Sequence, residues 1–341
     1  MGSPSPNRIR IGRRVGVVAA ALGLAAVLVF ALTRLNLHHV AHALVSASPG
    51  WVLLALALMM LSLLARSVSW HETLRAALPG ARVGWAPVAR ATMIGVMASA
   101  LIPGRIGEPT RVVVLSRRLE GPAASTLPVV AGTVFSQTLI NLLALAILAA
   151  ITFSSVPLLH GHASALEAVL IAPALVALLV FGGPPLLHVA QRSSNVRIRS
   201  AAVALTELLR LARRGLLVFA RPRYGVAAIG AQLFAWVLQW GSCYMVVLAL
   251  GLEHKATPVT AAAILLAVNV TAVLPATPSN VGVFQAACLV VLAAYGIGAG
   301  PALAYGIILQ AIELLTALAL GVPALLREGM SWRDIRRTPL S

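Results

Sequence analysis

Long runs of Leu, Ala and Val, broken by short polar stretches, take the place of the apolar–polar alternation that a half-buried strand would show. A helix crosses the hydrocarbon of a bilayer with about 20 mostly apolar residues. Runs of that kind occupy 15–33, 51–67, 126–153, 166–187, 225–250 and 301–326. Three weaker stretches cover 86–102, 258–274 and 281–297. The first of these contains Arg90 and stops at Pro103-Gly104, and the other two flank Pro275-Ala276-Thr277-Pro278. The run 166–187 contains Pro173 and ends at Gly182-Gly183-Pro184-Pro185. Run 15–33 follows Arg8, Arg10, Arg13 and Arg14, with no small-x-small cleavage signal after it, so it reads as an uncleaved first helix. The stretch 34–50 reads as a connecting loop with one Arg and three His.

Composition narrows the class. Of 341 residues, 60% are hydrophobic and 10% charged, with a mean hydropathy of +0.93. A soluble domain carries about 25% charged residues. This chain lacks the polar groups to cover a water-facing surface, which excludes a soluble enzyme, and the same figures exclude disorder. Continuous apolar runs favour helices over a membrane barrel, whose strands alternate over about ten residues.

A net charge of +17 permits nucleic-acid binding when taken alone, and the placement of the charges removes that reading. Basic residues are dense before residue 15, across 66–118, across 191–224 and after 326, and sparse across 34–50, 154–165 and around Lys255. Lys and Arg accumulate on the cytoplasmic side of membrane proteins. The alternation expects both termini in the cytoplasm, six full crossings, and segments 86–118 and 258–297 that each return to the side they entered from. Each such segment is either a re-entrant pair of half-helices or two full crossings. The expectation is an all-α polytopic membrane bundle of about eight hydrophobic helical elements. It divides into a basic cytoplasmic N-terminus (1–14), one transmembrane domain (15–326, with a cytoplasmic loop at 191–224) and a basic cytoplasmic tail (327–341). Residues 197–214 read either as an amphipathic helix on the inner leaflet or as a solvated linker.

Two segments place Pro, Gly and charge where membrane helices avoid them. Segment 101–111 holds Pro103, Gly104, Arg105, Gly107, Glu108, Pro109 and Arg111. Irregular backbone at membrane depth persists where it is buried in protein or lines a wet cavity. Arg105 and Arg111 stand three residues either side of Glu108, on one face if the segment is helical, and leave net positive charge suited to a phosphate. The alternative is an interfacial turn with an internal ion pair. Segment 274–286 holds Pro275, Thr277, Pro278, Ser279, Asn280, Gly282 and Gln285, and the helix that follows could turn its N-terminal amides toward an anion. Its alternative is a plain extracellular turn. Paired breaks in opposite halves point to an inverted-repeat transporter with a central site.

Glu313 stands within the last span, where an isolated charge costs about 2.5–3.5 kcal/mol on insertion scales. It either functions or partners a polar neighbour. Gln137, Asn141, Gln232, Gln239, Asn269 and Gln310 also sit in apolar runs, where amides chiefly tie helices together. Arg66 and Glu72 follow the second span and are expected to snorkel at the interface. Cys243 and Cys288 read as small core residues, and the histidines of the outer loops as surface groups. No Walker loop, HExxH or GxSxG occurs, no cofactor motif is present, and Asp334 is the sole Asp.

At the two broken segments the chain resembles the lysylphosphatidylglycerol synthase transmembrane-region family, also described as flippase-like. The resemblance covers roughly 15–326. Its anchor is a Pro-Gly-Arg-x-Gly-Glu-x-x-Arg stretch, matched by Pro103, Gly104, Arg105, Gly107, Glu108 and Arg111. In a second stretch, Pro-x-x-Pro-Gly-Gly-x-Gly-x-x-Glu, Pro275, Pro278 and Gly282 match, Ser279 and Asn280 replace glycines, and Gln285 replaces Glu. Gln137, Thr138 and Asn141 stand where the family has Glu-Arg-x-x-Asp, and Gln310 where it has Arg. What the resemblance implies is lipid handling without the soluble synthase domain that some members carry.

The expected function is translocation or binding of a phospholipid or polyprenyl-phosphate-linked lipid in a bacterial cytoplasmic membrane, by a transporter rather than an enzyme. The partner is a lipid with an anionic or zwitterionic headgroup, not nucleic acid. The alternatives are an enzyme or membrane subunit of lipid-linked glycosyl or aminoacyl transfer, and a non-transporting anchor for a lipid-modifying protein.

Overall fold

The computed structural model describes residues 37–81, 83–102, 106–119, 123–155, 213–271 and 281–329. Runs 15–33 and 166–187, nearly all of 197–214, the N-terminal arginines and the tail beyond 329 lie outside them. Among the described residues every regular element is a helix: α1 (Leu37–Ser46), α2 (Pro49–Ala77), α3 (Trp85–Leu101), α4 (Gly107–Ser116), α5 (Ala123–Ser155), α6 (Leu217–Ala220), α7 (Pro222–Ala249), α8 (Pro258–Thr271), α9 (Val283–Ala294) and α10 (Ala299–Arg327). The chain is a polytopic helical membrane protein.

Length sorts the helices. Stretches of 28–29 residues in α2, α5, α7 and α10 are long and apolar enough to cross a bilayer. At ~1.5 Å per residue each rises ~42 Å, more than the ~30 Å hydrocarbon core. The 10 residues of α4, 14 of α8 and 12 of α9 rise only ~15–21 Å and cannot cross alone. The pairs α3–α4 and α8–α9 therefore have the proportions of short-helix hairpins, one in each half. Stretch 34–50 is not a plain loop, because α1 occupies most of it; its apolar Val40 and Ala43 are buried against Ala304 of α10.

Prolines set several starts. Pro49 and Pro222 occupy the first turns of α2 and α7, where the missing N–H costs nothing and φ is already helical. The α2–α7 pair forms the most extensive interface. Its contacts keep one antiparallel register: Ser48 N–H donates to the Ala249 carbonyl (2.8 Å), Ser242 Oγ to Ala55 (2.8 Å) and Ser62 Oγ to Ala235 (2.9 Å). Contacts seven residues apart on both helices keep one seam facing its partner. Serine suits that seam, because lipid gives apolar surfaces little drive to associate and close backbones with interhelical hydrogen bonds must do it.

Two cores result. One gathers Cys243, Ile264, Cys288, Leu292, Tyr305 and Ile312 from α7 to α10. The other gathers Trp70, Ile94, Met97, Leu115 and Val130 from α2 to α5. Between helices, Asn141 Oδ1 of α5 accepts from Gln232 Nε2 (2.8 Å) and Trp236 Nε1 (3.0 Å) of α7. Leu53, Leu61, Val226, Phe234, Val237 and Leu315 remain exposed, as the lipid-facing side of a membrane bundle requires.

Candidate functional site

Gly95 within α3 and Gly107 at the start of α4 let two backbones touch. A Cβ on Gly107 would lie 2.1 Å from both the Gly95 carbonyl oxygen and Ser99 Oγ, and one on Gly95 would lie 2.8 Å from the Gly107 carbonyl. No side chain fits either place. That contact seats α4 against α3 and aims its next residues. Glu108, in the first turn of α4, has a half-exposed carboxylate beside the positive end of the helix. Arg111, one turn later, is buried. Its Nη2 donates to Glu108, its Nη1 donates to Gln137 Oε1 (2.6 Å), and its guanidinium lies 4.8 Å over the Trp70 ring. Its Nε has no partner among the described residues.

Gln137 continues inward by donating its Nε2 to the Arg66 carbonyl (2.9 Å). Arg66 in turn donates Nη2 to Gln239. A chain of polar contacts thus runs from the exposed Glu108 through α4, α5 and α2 to α7.

It ends at a cavity of about 330 Å³. Arg66, Ser99, Gln239, Asn269, Gln310 and Glu313 supply its polar lining, and Met59, Leu63, Val268 and Phe284 part of the apolar wall. Arg66 therefore does not snorkel. The apolar run ends near residue 67, but the helix continues to Ala77, which leaves Arg66 inside the bundle. Glu72, further along the same helix, pairs with Arg75 (3.1 Å) and lies beside His71. Glu313 faces the same cavity and makes no hydrogen bond, and no ion pair within 4.0 Å, among the described residues. Two polar atoms of the same lining are buried without partners among the described residues: Arg66 Nε and Thr316 Oγ1.

The second motif reaches the cavity through Gln285. Gly282 caps α9 with φ +87°, a left-handed conformation that glycine adopts without strain. Its N–H donates to Gln285 Oε1 (2.7 Å), and Gln285 Nε2 donates to Gln310 of α10, a cavity residue. Pro103, Gly104, Arg105, Pro275, Pro278, Ser279 and Asn280 lie outside the described residues. Of the sequence-derived candidates, the structure thus brings Glu313 to the cavity wall. Arg111 is linked to that wall through Gln137 and Arg66, and Gln285 through Gln310.

Two features escaped the sequence reading. Arg66 looked like an end residue because composition marks the end of apolarity, not of a helix. Glu328, just past α10, drew no attention among the basic residues of the tail. Its carboxylate has 4% exposure and accepts from Arg90 Nε (2.6 Å) and Arg118 Nε (2.8 Å). Burial pushes this carboxyl up, but the two guanidinium hydrogen bonds and charges outweigh it and hold Glu328 below the ordinary carboxylate range.

No curated protein matches the chain significantly. The family described as lysylphosphatidylglycerol synthase TM region matches residues 15–321, which span both hairpins and every cavity-lining residue. With nearly its whole length matched, the chain belongs to the lysylphosphatidylglycerol synthase TM region family.

Proposed function

We propose that this protein takes up the headgroup of a phospholipid or polyprenyl-phosphate-linked lipid in its internal cavity and carries it across a bacterial cytoplasmic membrane. The observation that carries this reading is the cavity of about 330 Å³, lined by α2, α3 and α7 to α10 and holding both Arg66 and Glu313. Ionisable groups at membrane depth are costly and mark substrate or ion paths. Ligand pockets run from about 300 to 1,000 Å³, so this one has headgroup size and leaves the chains in the bilayer.

In this reading Pro103, Gly104, Arg105, Gly107, Glu108 and Arg111 form one approach, with the arginines attracting phosphate and Glu108 orienting them. Pro275, Pro278, Ser279, Asn280, Gly282 and Gln285 form the opposite gate. Both termini are cytoplasmic. The meeting of Arg90, Arg118 and Glu328 at one end of the bundle supports that orientation, because it joins the basic 66–118 region to the basic tail.

The test is lipid movement in liposomes containing the full-length protein, followed with chain-labelled phospholipid and a quencher that does not cross membranes. Wild type should move label faster than empty liposomes. Arg66→Ala and Arg111→Ala should each slow it about tenfold, ~1.4 kcal/mol of barrier. Variants as fast as wild type would overturn the reading.

A further inference from the structure

Arg66 and Glu313 share one cavity yet do not pair. Glu313 makes no hydrogen bond or ion pair within 4.0 Å among the described residues, and Arg66 spends Nη2 on Gln239 while its Nε stays buried and unpartnered. Thr316, also a cavity residue, has its Oγ1 buried without a partner among the described residues. A buried donor without an acceptor is costly, so a cavity with two of them calls for an acceptor atom. The guanidinium selects the kind of acceptor: an oxyanion, which it binds with charge-assisted hydrogen bonds.

Charge balance adds a second requirement. Among the described residues the cavity holds one guanidinium and one carboxyl, which balance when both are ionised. An entering monoanion sets two negative charges against one positive charge in a low dielectric. A guanidinium keeps its charge, so the carboxyl is the group that can adjust, by taking up a proton. The groups around Glu313 leave it little other recourse. Arg66 faces it from α2, the buried thiols Cys243 and Cys288 come from α7 and α9, and Gln239, Asn269 and Gln310 contribute neutral amides. Among the described residues the next charges beyond Arg66 are Arg111 and Glu108, which are paired to each other.

We propose that this cavity binds one phosphodiester-type oxyanion, on Arg66 Nε and Thr316 Oγ1, together with one proton on Glu313. The site rests on the lipid-headgroup reading above and deepens it, making headgroup uptake a proton-coupled step. A lipid headgroup and a soluble phosphodiester share this chemistry.

The experiment is calorimetric titration of the full-length protein, in uncharged detergent, with two probes: a short-chain phosphatidylglycerol and the same headgroup without chains, glycerophosphoglycerol. Buffers of different ionisation enthalpy count the protons taken up. A phosphodiester keeps its charge across the pH range used, so any pH dependence belongs to the protein. For wild type, affinity should weaken about tenfold per pH unit once Glu313 is ionised in the empty cavity, with close to one proton bound per anion. Glu313→Gln should bind with no pH dependence and no proton uptake. Arg66→Lys, which keeps the charge but lacks Nε, should bind at least about tenfold more weakly while keeping the wild-type slope.

Wild-type binding without proton uptake, an unchanged slope in Glu313→Gln, full affinity in Arg66→Lys, or no binding of either probe would each overturn the proposal. The proton count uses wild type alone, so it decides even if a variant fails to fold. Liposomes separate the two readings. Protein that moves lipid but binds the probe without a proton refutes the coupling and leaves transport standing. Protein that binds with a proton but moves no lipid does the reverse. Tighter binding of the phosphatidylglycerol supports a lipid headgroup, and equal binding of glycerophosphoglycerol supports a soluble phosphodiester in the same site.

Discussion

At the scale of single residues, the site depends on atoms that are missing as much as on atoms that are present. Gly107 permits the α3–α4 contact, since a Cβ there would sit 2.1 Å from the Gly95 carbonyl and from Ser99 Oγ. Gly107→Ala must push the helices apart, so it should destabilise the protein by ~1–3 kcal/mol, read as a lower melting temperature in detergent. Gly230 is the matched control. It lies in α7, and a Cβ there meets nothing within 4 Å, so Gly230→Ala should be neutral or stabilising by up to ~1 kcal/mol. Equal losses from both would remove the packing argument. Gln137 is the other pivotal residue, because it serves Arg111 with one end and the Arg66 carbonyl with the other. Gln137→Leu keeps the bulk and strands both partners, and should cost ~1–3 kcal/mol for each group left unpaired. A melting curve like that of wild type would show that water replaces the amide.

At the scale of elements, composition and helix length carry different information. The runs 126–153 and 225–250 lie within or almost within α5 (Ala123–Ser155) and α7 (Pro222–Ala249), because apolar composition ends close to where those helices end. In α2 the helix outlasts its apolar run by ten residues, to Ala77, and that excess carries Trp70, Glu72 and Arg75. The element ends are also tied together: Glu328, after α10, holds Arg90 of α3 and Arg118 beyond α4. Its carboxyl titrates below the ordinary range in the folded protein. The contribution is therefore present above the unfolded carboxyl value of about 4.3 and is lost as pH falls through the lower folded value. Glu328→Gln should lower stability by ~1–2 kcal/mol near neutrality, with both partners partly exposed to solvent. The gap to wild type should close in acid, and a gap that persists there would show that the clamp works through shape rather than charge.

For the whole molecule, the arrangement has an outer lipid face and a cavity lined by both polar and apolar groups, and the two should differ in reactivity. Ser99 lines the cavity, while Val237 is exposed on the outer side of α7 with 55% accessibility. Ser99→Cys in liposomes should react with a water-soluble thiol reagent, whereas Val237→Cys, facing lipid, should not. The native Cys243 and Cys288 are buried and should stay silent in both. Equal labelling of the two sites would mean that the cavity is not reached by water.

How much of this was legible in the chain follows from the kind of force involved. Apolar runs, their lengths and their Pro and Gly interruptions determine that the protein is a helical membrane bundle with two broken, returning segments, because transfer of a segment into lipid depends on its own composition. The lengths of the helices in those segments came only with the structure. The motif 101–111 and Glu313 are legible in the same way, as polar groups set in or directly after an apolar run. Which charges meet is another matter. Arg66 reaches Gln239 across 173 positions of chain, and Arg90 reaches Glu328 across 238. Only the tertiary structure decides such pairings, because the α2–α7 register and the Gly95–Gly107 contact set where each side chain points. Sequence alone thus determined that polar groups are held in the membrane, and packing decided that Arg66 and Glu313 would face each other across a cavity.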